Sequence, residues 1–384
     1  MGAFREGEEY VSTGGRRLRR GYTTGTCATA ATTAAAMALL SGGRPESVEV
    51  ETPKGIFVRV PVEALSVEGG KATCAVRKDG GDDADDTNGM LICAEVERIG
   101  DGISIDGGEG VGRVTRKGLD QPVGNAAINR VPRAMIKEAA EREMDAAGYD
   151  GGLRITITAP EGGRVASRTF NPRLGIVGGV SILGTSGIVE PMSEDALIGS
   201  IRAEARMFLA QDGGRRYLLA VPGNYGRDFV AAYPALNGVQ PVECSNYIGG
   251  VIDIAREEGA AGVLLVGNLG KLVKVAGGIM NTHSRNADCR MEILAANAAM
   301  AGADAETVKR VMGCVSTDDA LEVLGTVGLM KATMDTLIPK IEFHMDHRAK
   351  GTLEVGAVVF SSKFGVLGET PSAAKLVRKV GERE

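Results

Sequence analysis

From residue 266 to 284 the chain reads VGNLGKLVKVAGGIMNTHS, and an apolar run, Val263 to Val266, leads into it. Glycines and a lysine at a strand exit raise the chemistry of anion binding. A nucleoside-triphosphate loop needs four residues between its first glycine and the Gly-Lys pair, then Ser or Thr for magnesium. Here only Asn268 and Leu269 separate Gly267 from Gly270, and Leu272, with no oxygen for a metal, follows Lys271. The triphosphate reading fails. A smaller anion site survives, in which glycines admit backbone N–H groups and Lys271 and Lys274 add charge near a helix start. A plain strand-to-helix turn explains the same residues as well.

Other segments carry polar groups at telling positions. In RRGYTTGTCATA, the side chains of Tyr22, Thr23, Thr24 and Thr26 precede a run of small residues. A helix cap needs one such hydroxyl, so several beside Gly25 point to a ligand. GGDDADDTNG (80–89) lacks the twelve-residue ligand order of a calcium loop and reads as a solvated acidic turn. Its Asp83, Thr87 and Asn88 can still orient a ligand. Between 107 and 133, glycines alternate with Arg113, Arg116, Lys117, Arg130 and Arg133. Within an acidic chain this suits a polycarboxylate or phosphate. The glycine-rich stretch 170–197 is either a domain crossover with exposed amides or simple packing. His283 lies among Asn281, Thr282, Ser284, Asp288 and Arg290; His344 and His347 sit in a charged helical stretch and are expected to face solvent. A nucleophile elbow, a metalloprotease signature and a dinucleotide GxGxxG are all absent from the sequence.

These residues need elements to hold them. Short β-like runs (VEVETP, IFVRVPV, ATCAVRK, LICAEVERI, RITITAP) with one flanking helix, INRVPRAMIKEAAEREMDAAG, predict an α+β first domain over 1–172. Over 173–384, RYLLAVPG, QPVECS, GVLLVGNLG and EVGAVVFS alternate with helical segments and end in glycines, predicting an α/β domain with a mostly parallel sheet. If those strands are parallel, the loops 223–229, 244–250 and 267–271 meet at one sheet end, where such folds bind ligands.

The bulk composition narrows the classes. The 384 residues suffice for two cores, with 43% hydrophobic and 24% charged residues. A net charge of -5, no Trp and 4% aromatics argue against nucleic acid. No apolar run approaches ~18 residues, so no membrane span is expected. The charged N-terminus lacks a signal core, so a cytoplasmic location is expected. The six cysteines form no CxxC pair, and no metal site is expected.

RRGYTTGTCA, GEGVGRVTRKGL, PVGNAAINRVPR, GIVGGVSILGTSGIVEPMSE, GNYGRDF, SNYIGG, LLVGNLGKLVKVAGGIMNTHS and the acidic and basic positions of 287–292 together resemble, in order, the signature blocks of the CbiD family, the cobalt-precorrin-5B methyltransferases of anaerobic cobalamin synthesis. The chain departs at Asn268, where the family often has His, and at Ala84 and Asp86, where it often has Pro and Val. The resemblance implies that S-adenosylmethionine donates a methyl group to carbon 1 of cobalt-precorrin-5B, giving cobalt-precorrin-6A, with cobalt carried by the substrate alone. It implies a cobalt-corrinoid intermediate as the partner, with neighbouring pathway enzymes as further candidates. The substrate's carboxylates then suit Thr23, Thr24, Thr26, Arg113, Arg116, Lys117, Arg130, Arg133 and Lys271. The glycine-rich exits Gly223, Asn224, Tyr225, Gly226, Ser245, Asn246, Gly267 and Gly270 become the expected cofactor site, with Glu243 or Asp253 for a ribose. His283 and Asp83 are the candidates to accept or relay a proton. The rival readings are a non-catalytic tetrapyrrole- or nucleotide-binding protein and, more remotely, a small-molecule kinase.

Overall fold

Strict alternation in SVEVE and KATCAVR sends every second side chain inward, which is what a sheet with one covered face requires. Such strands build a six-stranded sheet in the order Ser47–Glu51, Phe57–Glu68, Lys71–Arg77, Leu91–Ile99, Gly152–Thr158, Ile103–Gly107. All neighbours are antiparallel except the last pair. Helices Thr24–Ser41 and Arg130–Ala147 cover its inner face, where Val58, Cys74, Ile92 and Ile155 meet Cys27, Ala31 and Ile136. All of Thr24–Ser41 except Met37, Leu40 and Ser41 is buried. Its small side chains allow that close approach from sheet and helix alike.

Tyr217–Val221 and Gly262–Asn268 are apolar without alternation, as strands buried on both faces must be. They lie inside a five-stranded sheet ordered Val242–Glu243, Tyr217–Val221, Gly262–Asn268, Glu354–Ser361, Gly365–Glu369, parallel except for the last strand. Leu218, Ala220, Val263 and Leu265 face one core, shared with helices Ile248–Glu257, Leu269–Ala276 and Met330–Ala349. Leu219, Val221, Leu264 and Val266 face the other, shared with Asn224–Ala232 and Ala373–Gly381.

The architecture is mixed α/β. This computed structural model describes residues 3–5, 7–13, 15–210 and 216–381. The chain divides into two units, Met1–Glu194 and Asp195–Glu384. The expected boundary at 172 falls inside the first. Beyond it, Ile176–Val177 pairs with Arg113–Val114 and Ile188–Val189 with Gly21–Tyr22, so the glycine-rich stretch packs as part of the first unit. Among the described residues no helix is long and apolar enough to cross a membrane, and no group of three or more His, Cys, Asp and Glu is placed to hold a metal ion.

Candidate functional site

Three parallel strands of the second unit, Tyr217–Val221, Val242–Glu243 and Gly262–Asn268, release their turns at the same sheet end. From Tyr217–Val221 the chain moves outward to the edge strand Val242–Glu243, then returns to Gly262–Asn268 on the opposite side. The turns following the first and third of these strands therefore diverge, and such a switch point is where open parallel sheets take ligands. Two helices start there, Asn224–Ala232 with Gly223 as N-cap and Leu269–Ala276 with Asn268 as N-cap. Asn268 Oδ1 accepts from the Gly270 N–H at 2.8 Å. The residue that departs from the family pattern is thus an ordinary cap.

The four glycines divide into two kinds. A Cβ at Gly226 would lie 2.8 Å from the Val221 side chain and 3.1 Å from the Val266 carbonyl; at Gly267 it would lie 3.0 Å from both Pro222 and Leu272. Packing alone requires glycine at these two positions. Gly223, at φ +98°, has open space beside its Cα, and Gly270 faces only Asn268 Oδ1 and Thr317 Oγ1, at 3.2 and 3.6 Å. Tyr225, 72% exposed, and Asn224, which accepts from Arg227 at 3.4 Å, follow Gly223.

Lys271 reaches into the same region from the second helix. Its Nζ donates to Asn246 Oδ1 at 2.5 Å, its one partner among the described residues, although an ammonium has three donors. Burial lowers its pKa, with Lys274 adding to the effect and the neighbouring Cys244 opposing it. Cys244 itself is fully buried and its thiol is pushed up to about 12, so it packs rather than reacts. Asn246 also accepts from Thr282, side chain at 3.4 Å and backbone at 2.9 Å. Ser245 adopts a left-handed φ of 52°, which turns the chain between Cys244 and Asn246. Glu243 pairs with Arg227 at 2.9 Å. Asp253 is gripped by Arg348 at 2.5 Å from the helix Met330–Ala349, which leaves it poorly suited to a ribose.

His283 Nδ1 accepts the Arg285 N–H at 3.1 Å, and the backbone N–H of His283 donates to Asn281 Oδ1 at 3.1 Å. The neutral imidazole therefore carries its proton on Nε2. In that tautomer Nε2 donates a hydrogen bond, while the ring's lone pair stays on Nδ1, where the Arg285 N–H engages it. Of the other histidines, His347 is exposed, but His344 is half-buried, its ring edge 3.3 Å from where a Cβ on Gly278 would stand. Burial lowers its pKa.

In the first unit the threonines are committed to the fold. Thr23 Oγ1 accepts from the Thr26 N–H; Thr24 Oγ1 accepts from the Leu183 N–H at 2.9 Å; Thr26 Oγ1 donates to the Gly187 carbonyl at 2.7 Å. All three are buried. The hydroxyls of Thr24 and Thr26 fasten residues 181–187 to the helix start, and that of Thr23 caps the helix. The acidic turn is likewise engaged. Asp79 takes a forked bond from Arg19 at 2.5 and 2.7 Å, Asp85 pairs with the buried Lys78, and Asp83 Oδ1 accepts from the Met192 N–H at 3.3 Å. Asp83 and His283 belong to different units.

The cations separate too. Arg113 forks onto Asp106 at 2.8 and 3.1 Å. Arg133 donates to the carbonyls of Ile128 and Ile105 at 2.9 and 2.8 Å, stitching its helix to the edge strand. Arg116 reaches the Arg173 carbonyl at 3.5 Å, and Lys117 also has an interaction. The backbone N–H of Arg130 is bonded by Asp120, while its exposed guanidinium has no partner among the described residues. Asp106 and Lys78 escaped sequence reasoning. Nothing in the spacing marks Asp106 as the partner of an arginine seven positions on, and a buried lysine looks like any other in sequence.

A family model described as CbiD matches residues 11–191, and one described as CbiD, C-terminal domain, matches 281–371. The chain is 46% identical to a protein named cobalt-precorrin-5B C(1)-methyltransferase from Ruminiclostridium cellulolyticum, over 92% of each chain. It is 43% identical to one of the same name from Alkaliphilus metalliredigens, over 96% of this chain and 97% of that one. A crystal structure described as a cobalamin biosynthesis protein (cbiD) from Archaeoglobus fulgidus is 31% identical, covering 72% of this chain and 86% of that one, with a TM-score of 0.40.

Proposed function

This chain belongs to the CbiD family, and on that premise we propose how its residues serve methyl transfer to carbon 1 of cobalt-precorrin-5B. It is a C-methyltransferase of cobalamin biosynthesis. The methyl donor is S-adenosylmethionine, and the product is cobalt-precorrin-6A. When bound, the donor supplies an electrophilic methyl group on sulfur. The attacking carbon belongs to the electron-rich macrocycle, so the chain need supply no nucleophile. Its work is to hold the two partners in line and keep water out.

The sheet end that carries Gly223 and Gly270 is the proposed donor site. Open backbone at two helix starts suits hydroxyl and carboxylate groups, and Asn224, Tyr225, Ser245 and Asn246 surround it in sequence and topology. Lys271 is the proposed clamp for a carboxylate of the macrocycle. The observation that carries this assignment is its half-buried ammonium, with one of three donors used, at a topological switch point. Within the first unit, Arg130, Arg116 and Lys117 are proposed as anion-binding residues, and Arg113 becomes one by exchanging Asp106 for the ligand. His283 donates its Nε2–H to an oxygen of the reacting pair. Asp83 keeps a proposed role only in ordering the acidic turn.

Calorimetric titration with S-adenosylmethionine tests the donor site. Asn224→Leu removes a polar side chain from an exposed helix start, and about tenfold weaker binding is expected, the worth of one or two hydrogen bonds. Wild-type affinity in that variant would move the donor elsewhere.

A further inference from the structure

Lys274 lies one helical turn beyond Lys271 on Leu269–Ala276 and is 3% exposed. Its Nζ donates to the carbonyls of Ala287 at 2.8 Å and Thr282 at 3.2 Å, and stands 3.8 Å from Asp288 Oδ1. Those partners are the two ends of the loop that carries His283. Arg290 fixes Asp288 from outside, Nε to Oδ1 at 2.5 Å. Asn246 holds the same loop at Thr282 while also receiving Lys271. One ammonium thus closes a loop whose other ties lead to the proposed carboxylate clamp.

A buried lysine is an expensive way to fill this position. The helix is otherwise apolar on its inner face, with Leu272, Val273 and Val275 fully buried, and a methionine would pack there without a charge to desolvate. The ammonium is accounted for by what it holds. We propose that Lys274 is a positioning residue of the methyl-transfer site, fixing the 281–288 loop so that the His283 Nε2–H and the Lys271 ammonium keep one mutual geometry. This rests on the reading of His283 as a donor at the site. Lys274 touches no ligand; its loss acts through the loop.

The test is single-turnover methyl transfer by the full-length enzyme, comparing wild type, Lys274→Met, His283→Ala and the double variant, each melted first to confirm a folded state. Lys274→Met is expected to lower the maximal rate by about tenfold to a hundredfold with little change in half-saturation, as a displaced group does. The double variant is expected to be no slower than the slower single one, since both remove one function. A slow His283→Ala beside a wild-type Lys274→Met, or losses that multiply in the double variant, would overturn the proposal. A wild-type rate in His283→Ala overturns the reading of His283 itself, and is recognised from that variant alone. Should Lys274→Met not fold, Lys274→Gln keeps a donor for one carbonyl, and the same coupling to His283→Ala is required of it.

Discussion

Lys271 enters the fold with its charge partly desolvated and, among the described residues, two donors unused, so its deletion should be felt by a ligand more than by the core. Lys271→Ala is expected to weaken binding of the polycarboxylate substrate by roughly tenfold to a hundredfold, the worth of a charged hydrogen bond. Equilibrium binding checks this, and unchanged affinity would remove the clamp. The pH dependence has a definite sign. Burial holds the folded pKa below the ordinary 10.5, so the folded protein releases this proton first and gains stability relative to the unfolded chain as pH rises between the two values. Ligand binding makes the opposite demand, since a carboxylate wants the ammonium charged. Affinity is therefore expected to fall before 10.5 is reached. In Lys271→Arg the fall is expected at higher pH, and an identical profile in both proteins would assign the titration to another group. At this scale the sequence revealed residue types suited to anions but not their partners. Arg113 and Arg130 read alike in the chain, and only the fold gives Asp106 to the first and leaves the second's guanidinium without a partner among the described residues.

Among the elements, the joint between the helix start at Thr24 and residues 181–187 is the most exposed to test. The hydroxyls of Thr24 and Thr26 meet buried backbone groups there. Thr24→Val with Thr26→Val is expected to lower stability by about 2–6 kcal/mol, because each change strands a buried partner worth ~1–3 kcal/mol. An unchanged thermal midpoint would return those hydroxyls to a ligand. Gly110→Ala should be worse. Its φ is +71° and the new Cβ would stand 1.7 Å from the Ala159 carbonyl oxygen, so a loss above ~3 kcal/mol is expected in denaturant unfolding. The acidic turn answers to pH. Burial raises the pKa of Asp79, but bonds from Arg19 and Gly81 outweigh it; burial opposes Lys78 at Asp85 and also loses. Both folded values lie below 3.8, so the stabilisation is present above that value and is lost as pH falls through the folded ones. Amide exchange at Gly81 and Thr87, which donate to these carboxylates, is expected to quicken only below about pH 4. Quickening already near neutrality would contradict the pairing. Alternation made the first sheet's long strands legible in sequence. The strand Ile103–Gly107 was not, because it is short and joins its neighbour in parallel across a distant stretch of chain.

For the molecule as a whole, two kinds of legibility met. Long motif blocks carried the activity, and the family match over most of the chain agrees with them. The switch point was legible only conditionally. Glycines at strand exits marked the loops, but the order Val242–Glu243, Tyr217–Val221, Gly262–Asn268 that brings them to one end depends on pairings no local pattern encodes. The unit boundary was hidden for the same reason, since a glycine-rich stretch resembling a crossover returns to pair with residues far upstream. The most direct measurement of the activity is single-turnover transfer from methyl-labelled S-adenosylmethionine to cobalt-precorrin-5B without oxygen, with label and product mass followed together. One labelled methyl group gained by the macrocycle at carbon 1, and lost from the donor in equal amount, is the predicted result. Intact donor and substrate recovered beside folded enzyme would contradict it.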